Sequence, residues 1–160
     1  MTPKSLLRNK LCISTLDELT TGRFQWVLPE FDDIDVVAVK RVIICSGKIY
    51  YEMLEARRLN RIADIAILRI EQIYPFPGEQ LDALLHQYAS TNELIWCQEE
   101  PKNQGAWDFI KVRIPSFINK RWRLGYVGRE PSSVPAVGSA KLHAIQQKRL
   151  INQVLNIVEQ

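Results

Sequence analysis

The sequence predicts an α/β fold in which a mostly parallel sheet is flanked by helices. Three features carry this expectation. Apolar runs without alternation, at 42–45, 65–70 and 94–97, suit strands buried on both faces, as parallel strands are. Between them, apolar residues recur at helical spacing. Strands alternating with helices argue for βαβ units connected right-handed.

Residues 1–40 read as a lead-in arm rather than a self-sufficient unit. Thr15-Leu16-Asp17-Glu18 fits a capping box for a short helix, since Thr15 can cap and Glu18 can reach back. Phe24, Trp26 and Leu28 alternate, which predicts a short strand, and 29–35 is acidic and turn-like. Leu6, Leu7, Phe24 and Trp26 call for another surface to cover them.

The α/β domain is expected over 41–160. Its first unit is a strand at 41–45, the turn Ser46-Gly47-Lys48 and a helix of about 49–60, with Ile49, Met53 and Leu54 on one face. A second strand at 65–70 ends before the Pro75-Phe76-Pro77 turn, and Leu81, Leu84, Leu85 and Tyr88 mark the next helix. A third strand at 94–97 runs into a polar loop over 98–105. A helix from Trp107 should stop near Pro115, and 123–127 is a fourth strand. After a loop at 129–138, a last helix of about 139–158 carries Leu142, Ile145, Leu150, Ile151, Val154, Leu155 and Val158 as its apolar stripe, with Ser139 as N-cap.

The chain has 160 residues, and its 46% apolar and 24% charged content is ordinary for a folded domain. Its net charge of +3 is small and dispersed, which argues against a nucleic-acid partner. No apolar run approaches the roughly 20 residues of a membrane span. Cys12, Cys45 and Cys97 are widely spaced and form no C-x-x-C pair, so reduced thiols are expected, the latter two as small core residues.

Few residues suggest chemistry. Ser46-Gly47-Lys48 is neither a P-loop nor a dinucleotide fingerprint. It does sit at the carboxyl end of a predicted parallel strand, where open α/β sheets bind ligands, and helix N–H groups beside a lysine favour an anion. A tight structural turn is the competing reading. Glu99 and Glu100 lie at the same edge, but neighbours on a strand point to opposite faces, which argues against a paired acid and base. His86 and His143 have no second His or Cys at metal-ligand spacing, although His143 near a helix start is placed to face an anion. No G-x-S-x-G elbow is present, and no catalytic residue and no metal ligand is assigned.

Longer runs are more specific. Met-Thr-Pro-Lys-Ser-Leu-Leu-Arg at 1–8, Cys-Ser-Gly-Lys-Ile-Tyr-Tyr at 45–51, Ile-Leu-Arg-Ile-Glu-Gln-Ile-Tyr-Pro-Phe-Pro at 67–77 and Trp-Cys-Gln-Glu-Glu-Pro-Lys-Asn-Gln-Gly-Ala-Trp at 96–107 resemble the decarboxylating first component of the 2-oxoglutarate dehydrogenase complex. So does Tyr-Val-Gly-Arg-Glu-Pro-Ser-Ser-Val-Pro-Ala-Val-Gly at 126–138, and the likeness is to the family's extreme C-terminus.

The resemblance implies a transketolase-type C-terminal domain. The implied parent is a much longer homodimeric oxidoreductase that uses thiamine diphosphate and magnesium and serves the tricarboxylic acid cycle. It decarboxylates 2-oxoglutarate and hands the succinyl group to a partner acyltransferase. It would be cytoplasmic in a bacterium and in the mitochondrial matrix in a eukaryote. Residues 1–40 would lie against the parent's other domains. The family's diphosphate motif, substrate histidines and activating glutamate have no counterpart in 1–160, so no catalytic role carries over and this chain alone should be inactive. Some family members are regulated by a nucleotide or acyl-coenzyme A here. The matching candidates are Ser46 and Lys48 for phosphate, Glu71 for ribose or adenine, and Arg129 for phosphate, where a planar guanidinium grips bidentately. For Arg129 a structural ion pair is the alternative. For the whole chain, the alternative is a free-standing nucleotide- or anion-binding regulatory domain of the same fold.

Overall fold

A computed structural model describes residues 3–158. After a single 3-10 turn at Lys4–Leu6 come α1 (Leu16–Thr20), β1 (Val27–Leu28), β2 (Arg41–Cys45), α2 (Ile49–Leu59) and β3 (Ile65–Ile70). They are followed by α3 (Gly78–Leu85), β4 (Glu93–Pro101), α4 (Trp107–Phe117), β5 (Arg123–Arg129) and α5 (Ala140–Val154). The sheet order is β1-β3-β2-β4-β5. Strand β1 is antiparallel to β3, and every other pairing is parallel.

Side-chain alternation along the strands divides the core in two. Val42, Ile44, Leu68, Ile70, Leu94 and Trp96 face α3 and α4, where Leu81, Leu85, Ile110 and Ile114 cover them. Ile43, Cys45, Ile65, Ile67, Ile95 and Cys97 face α2 and α5, and meet Met53, Leu54, Leu150, Ile151 and Val154. Val42–Cys45 of β2 and Ile65–Leu68 of β3 are therefore buried on both faces, which is why they read as apolar runs, with part-buried Arg41 and Arg69 near the strand ends.

Several boundaries differ from the sequence reading, each for a physical reason. Strand β4 continues through Gln98, Glu99 and Glu100, which read as loop. The buried Gln98 amide makes this polar stretch possible: its Oε1 accepts from Trp96 Nε1 (2.9 Å) and Trp107 N (3.0 Å), and its Nε2 donates to Gln104 O (2.7 Å). Helix α4 runs through Pro115 to Phe117, held by buried Ile114 and by Ile118 N donating to Ile114 O. Helix α5 stops at Val154. Asn156 takes a positive φ of 54° just beyond it, and Arg41 Nη1 donates to Val154 O (2.9 Å) and Asn156 Oδ1 (2.8 Å). The first half of its expected stripe, Leu142 and Ile145, faces solvent, because only the second half reaches the sheet and α2.

The segment before β2 is fastened at the sheet edge. The capping box of Thr15 and Glu18 forms as read. Strand β1 is only two residues long, and Trp26 O accepts from Glu71 N (2.9 Å). Next to it, Glu30 Oε2 accepts from Ile67 N (2.7 Å), taking the place of a strand carbonyl. Glu30 and Asp32 both grip the buried Arg57. Leu7 and Phe24 are exposed and Trp26 is nearly half exposed.

Candidate functional site

The carboxyl ends of β2, β3 and β4 open onto a cleft of about 430 Å³. Its floor is the Ser46-Gly47-Lys48 turn, where Gly47 has φ 76°, a conformation that turns the chain directly from β2 into α2. No side chain caps the start of α2. Arg69 and Glu71 come from the end of β3, Glu99 and Glu100 from β4, and Pro3, Leu6 and Cys12 close the far side.

Cations and carboxylates already compensate one another here. Lys48 Nζ contacts Glu52 Oε1 one helical turn along and Glu99 Oε2 at 3.0 Å. Burial, the largest single influence on Lys48, opposes its charge. Hydrogen bonds and attraction from Glu52 and Glu99 together outweigh it and hold its pKa above that of an ordinary lysine. Arg69 Nε lies 2.6 Å from Glu71 Oε1, Arg69 Nη1 donates to Tyr51 Oη (2.7 Å), and the guanidinium stacks over Tyr50 at 4.5 Å. Burial pushes the Tyr51 phenol up to about 12, so it stays protonated near neutrality.

Three of the four sequence-predicted residues, Ser46, Lys48 and Glu71, line this one cleft. Arg129 does not; it stands behind a polar relay. Arg129 Nη2 donates to Gln147 Oε1 (2.8 Å) and lies 3.1 Å from His143 Nδ1. Gln147 Nε2 donates to Glu52 Oε2 (2.7 Å), and Glu52 holds Lys48. His143 Nε2 lies 3.9 Å from Glu99 Oε1, so the histidine does reach the cleft's rim, facing a carboxylate. Sequence reasoning missed Arg69, Tyr51, Glu52 and Gln147. An i, i+4 spacing could have revealed Glu52, and an arginine inside the apolar run of β3 could have flagged Arg69.

The model of the 2-oxoglutarate dehydrogenase C-terminal family matches residues 13–155, which contain all of these polar side chains. The chain belongs to that family. Oxoglutarate dehydrogenase of Buchnera aphidicola subsp. Baizongia pistaciae is 50% identical over 157 residues. The 2-oxoglutarate dehydrogenase E1 component of Haemophilus influenzae is 51% identical over 156 residues, and that of Azotobacter vinelandii 47% identical over 160. Each alignment covers 98% of this chain and 17% of the relative, so the chain spans about one-sixth of the length of the curated relatives it matches. Its five-stranded, mostly parallel sheet between helices is the transketolase C-terminal type of arrangement.

Whether this C-terminal domain could itself seat magnesium and a diphosphate is a question of donor chemistry. Glu52 and Glu99 are held by Lys48, and Glu71 by Arg69. Among the described residues, no group of three or more His, Cys, Asp or Glu side chains is placed to hold a metal ion. The residues present do not fit that cofactor. Among the described residues no helix is long and apolar enough to cross a membrane.

Proposed function

We propose that this chain is the C-terminal domain of a thiamine-diphosphate-dependent 2-oxoglutarate dehydrogenase, and that it serves the parent enzyme in structure and regulation rather than in the chemical step. The observation that carries this reading is identity of about half over 98% of the chain with proteins named as that enzyme's first component. In this reading, thiamine diphosphate and magnesium bind elsewhere in the parent, which passes a succinyl group to the acyltransferase of its complex. Residues 1–40 act as a lead-in arm whose exposed Leu7 and Phe24 lie against other domains of the parent or the second subunit of a homodimer, and 41–160 form the α/β domain. The setting is cytoplasmic in a bacterium.

The cleft of Ser46, Lys48 and Glu71 is the candidate regulatory seat for a nucleotide or acyl-coenzyme A. A phosphate entering it has to replace Glu99 or Glu52 on Lys48, so binding exchanges one ion pair for another. Arg129 takes part through the relay to Glu52, not as a wall of the cleft.

Two measurements test the proposal. The full-length protein should release carbon dioxide from 2-oxoglutarate only with thiamine diphosphate and magnesium, while residues 1–160 alone should show none; turnover by the isolated chain overturns it. Calorimetry of the full-length protein with AMP and with acetyl-coenzyme A should give saturable heat that Lys48→Ala abolishes. No heat at millimolar ligand removes the regulatory reading and leaves the structural one standing.

A further inference from the structure

Polar side chains close into a ring at one wall of the cleft. Lys48 contacts Glu52, Gln147 Nε2 donates to Glu52 Oε2 (2.7 Å), and Gln147 Oε1 accepts from Arg129 Nη2 (2.8 Å). Arg129 Nη2 lies 3.1 Å from His143 Nδ1, and His143 Nε2 lies 3.9 Å from Glu99 Oε1. Glu99 Oε2 then returns to Lys48 at 3.0 Å. The Lys48–Glu99 edge of this ring is open to the cleft. Both residues line it, their side chains are 22% and 24% exposed, and a Cβ built on neighbouring Gly47 would meet nothing within 4 Å.

The two carboxylates on Lys48 are held unequally. Glu52 stands one helical turn away on α2, accepts from the buried Gln147 amide, and does not line the cleft. Glu99 does line it, and its second oxygen has only the long approach of His143. The backbone beneath Glu99 is less constrained as well. The β4–β5 register shifts between Cys97 and Pro101, so residue 99 lies outside the regular ladder, as side chains re-aimed by a bulge do. His143 also gives a released Glu99 a place to go. Arginine can only donate, so His143 Nδ1 is the acceptor and the ring hydrogen sits on Nε2, facing the carboxylate.

Two carboxylates against one ammonium leave the seat with a net negative charge, so an anion does not simply join them. It has to displace one, against the high effective concentration of a tethered group. A free carboxylate would exchange like for like and lose. A phosphate dianion brings the greater charge, and further oxygens for the N–H groups at the uncapped start of α2.

We propose that Glu99 is a built-in competitor for the anion seat on Lys48, and that a phosphate dianion entering the cleft displaces it onto His143 while Glu52 stays in place. Glu99 has this role only if the cleft is the regulatory seat proposed above.

Calorimetric titration of the protein at its natural full length with AMP, at about pH 8 where the phosphate is a dianion, tests the displacement. Glu99→Gln should tighten AMP about tenfold, because the competitor and its charge are gone. Glu100→Gln removes the neighbouring carboxylate of the same cleft and should change affinity by less than about twofold, which separates displacement from the general field. Glu52→Gln should not tighten binding, since Glu52 positions the lysine. His143→Leu should weaken AMP several-fold in the native background and leave it unchanged beside Glu99→Gln, while His143→Gln, which keeps an N–H donor, should restore it. The competitor role is overturned if Glu99→Gln binds AMP no more tightly than the native protein, if Glu52→Gln tightens it as much, or if His143→Leu costs the same in both backgrounds. Saturable binding of AMP by the native protein in those cases leaves the regulatory reading standing. No saturable heat from the native and Glu99→Gln proteins alike removes both.

Discussion

Arg57 and Glu30, 27 residues apart, form a buried ion pair through two N–H donors, at 2.5 and 2.7 Å, with side chains 1% and 7% exposed. Asp32 accepts from the same guanidinium at 2.7 Å, and Ile65 O at 2.9 Å. Removing Glu30 leaves the 1% exposed guanidinium with only the less buried Asp32 as counter-charge. Glu30→Ala should therefore lower unfolding free energy by about 3–5 kcal/mol. The double change Glu30→Leu with Arg57→Met should cost less than Glu30→Ala by itself, because neither charge remains. Urea unfolding at neutral pH measures both; a double variant less stable than the single one contradicts the account.

Asp32 gives the fold an acid-sensitive clasp. The Arg58 guanidinium beside it, assisted by Arg57, holds its carboxyl below the usual aspartate value in spite of partial burial. The folded pKa is the lower one, so the stabilisation is complete above the unfolded value of 3.8 and is lost as pH falls through the folded value. Asp32→Asn should flatten the decline in urea midpoint between about pH 5 and pH 2, where the native protein keeps it. Equal acid slopes in the two proteins would show that other groups set the decline.

Gln98 is 3% exposed and ties together two tryptophans and the 101–104 turn. Gln98→Leu keeps its bulk but leaves the Trp96 indole N–H and Trp107 N–H without an acceptor. A loss of about 2–4 kcal/mol is expected, from about 1–3 kcal/mol for each orphaned group after partial relaxation. Tryptophan fluorescence should shift in the native baseline as well, since both indole-bearing residues move.

The thiols should differ sharply in reactivity. Cys45 and Cys97 pair in register across β2 and β4 and are fully buried, and burial pushes both thiols up. Cys12 is partly exposed at the cleft. A disulfide reagent at pH 8 should modify Cys12 alone in the native protein and all three in urea. Rapid native labelling of Cys45 or Cys97 would mean that the sheet opens far more readily than its packing implies.

The parts of the fold most legible in the sequence were those where one physical demand dominates. Val42–Cys45 and Ile65–Leu68 are dry on both faces and can be little else than central strands. The Thr15–Glu18 cap is a local exchange of hydrogen bonds and was legible for the same reason. The outer half of β4 was not, because Gln98 supplies from its side chain what a polar loop would take from water. Glu30 and Asp32 read as an acidic turn, since nothing near them in sequence announces Arg57. At the cleft, the turn of Ser46-Gly47-Lys48 was legible as a strand end. That Glu99 and Glu52 share its lysine is a long-range result of strand order, which a linear reading does not contain.

Glu30 has a consequence for how the molecule meets its neighbours. A two-residue β1 cannot cover β3, so most of that flank would present unpaired N–H and C=O groups to any passing chain. Glu30 fills the gap with a carboxylate on Ile67 N–H, itself anchored to Arg57. A foreign strand adding there would first have to strip an anion from its buried counter-charge. The same side chain that steadies the fold thus serves as a guard against fibril-like stacking, and a variant lacking it should be judged by its tendency to aggregate as much as by its melting point.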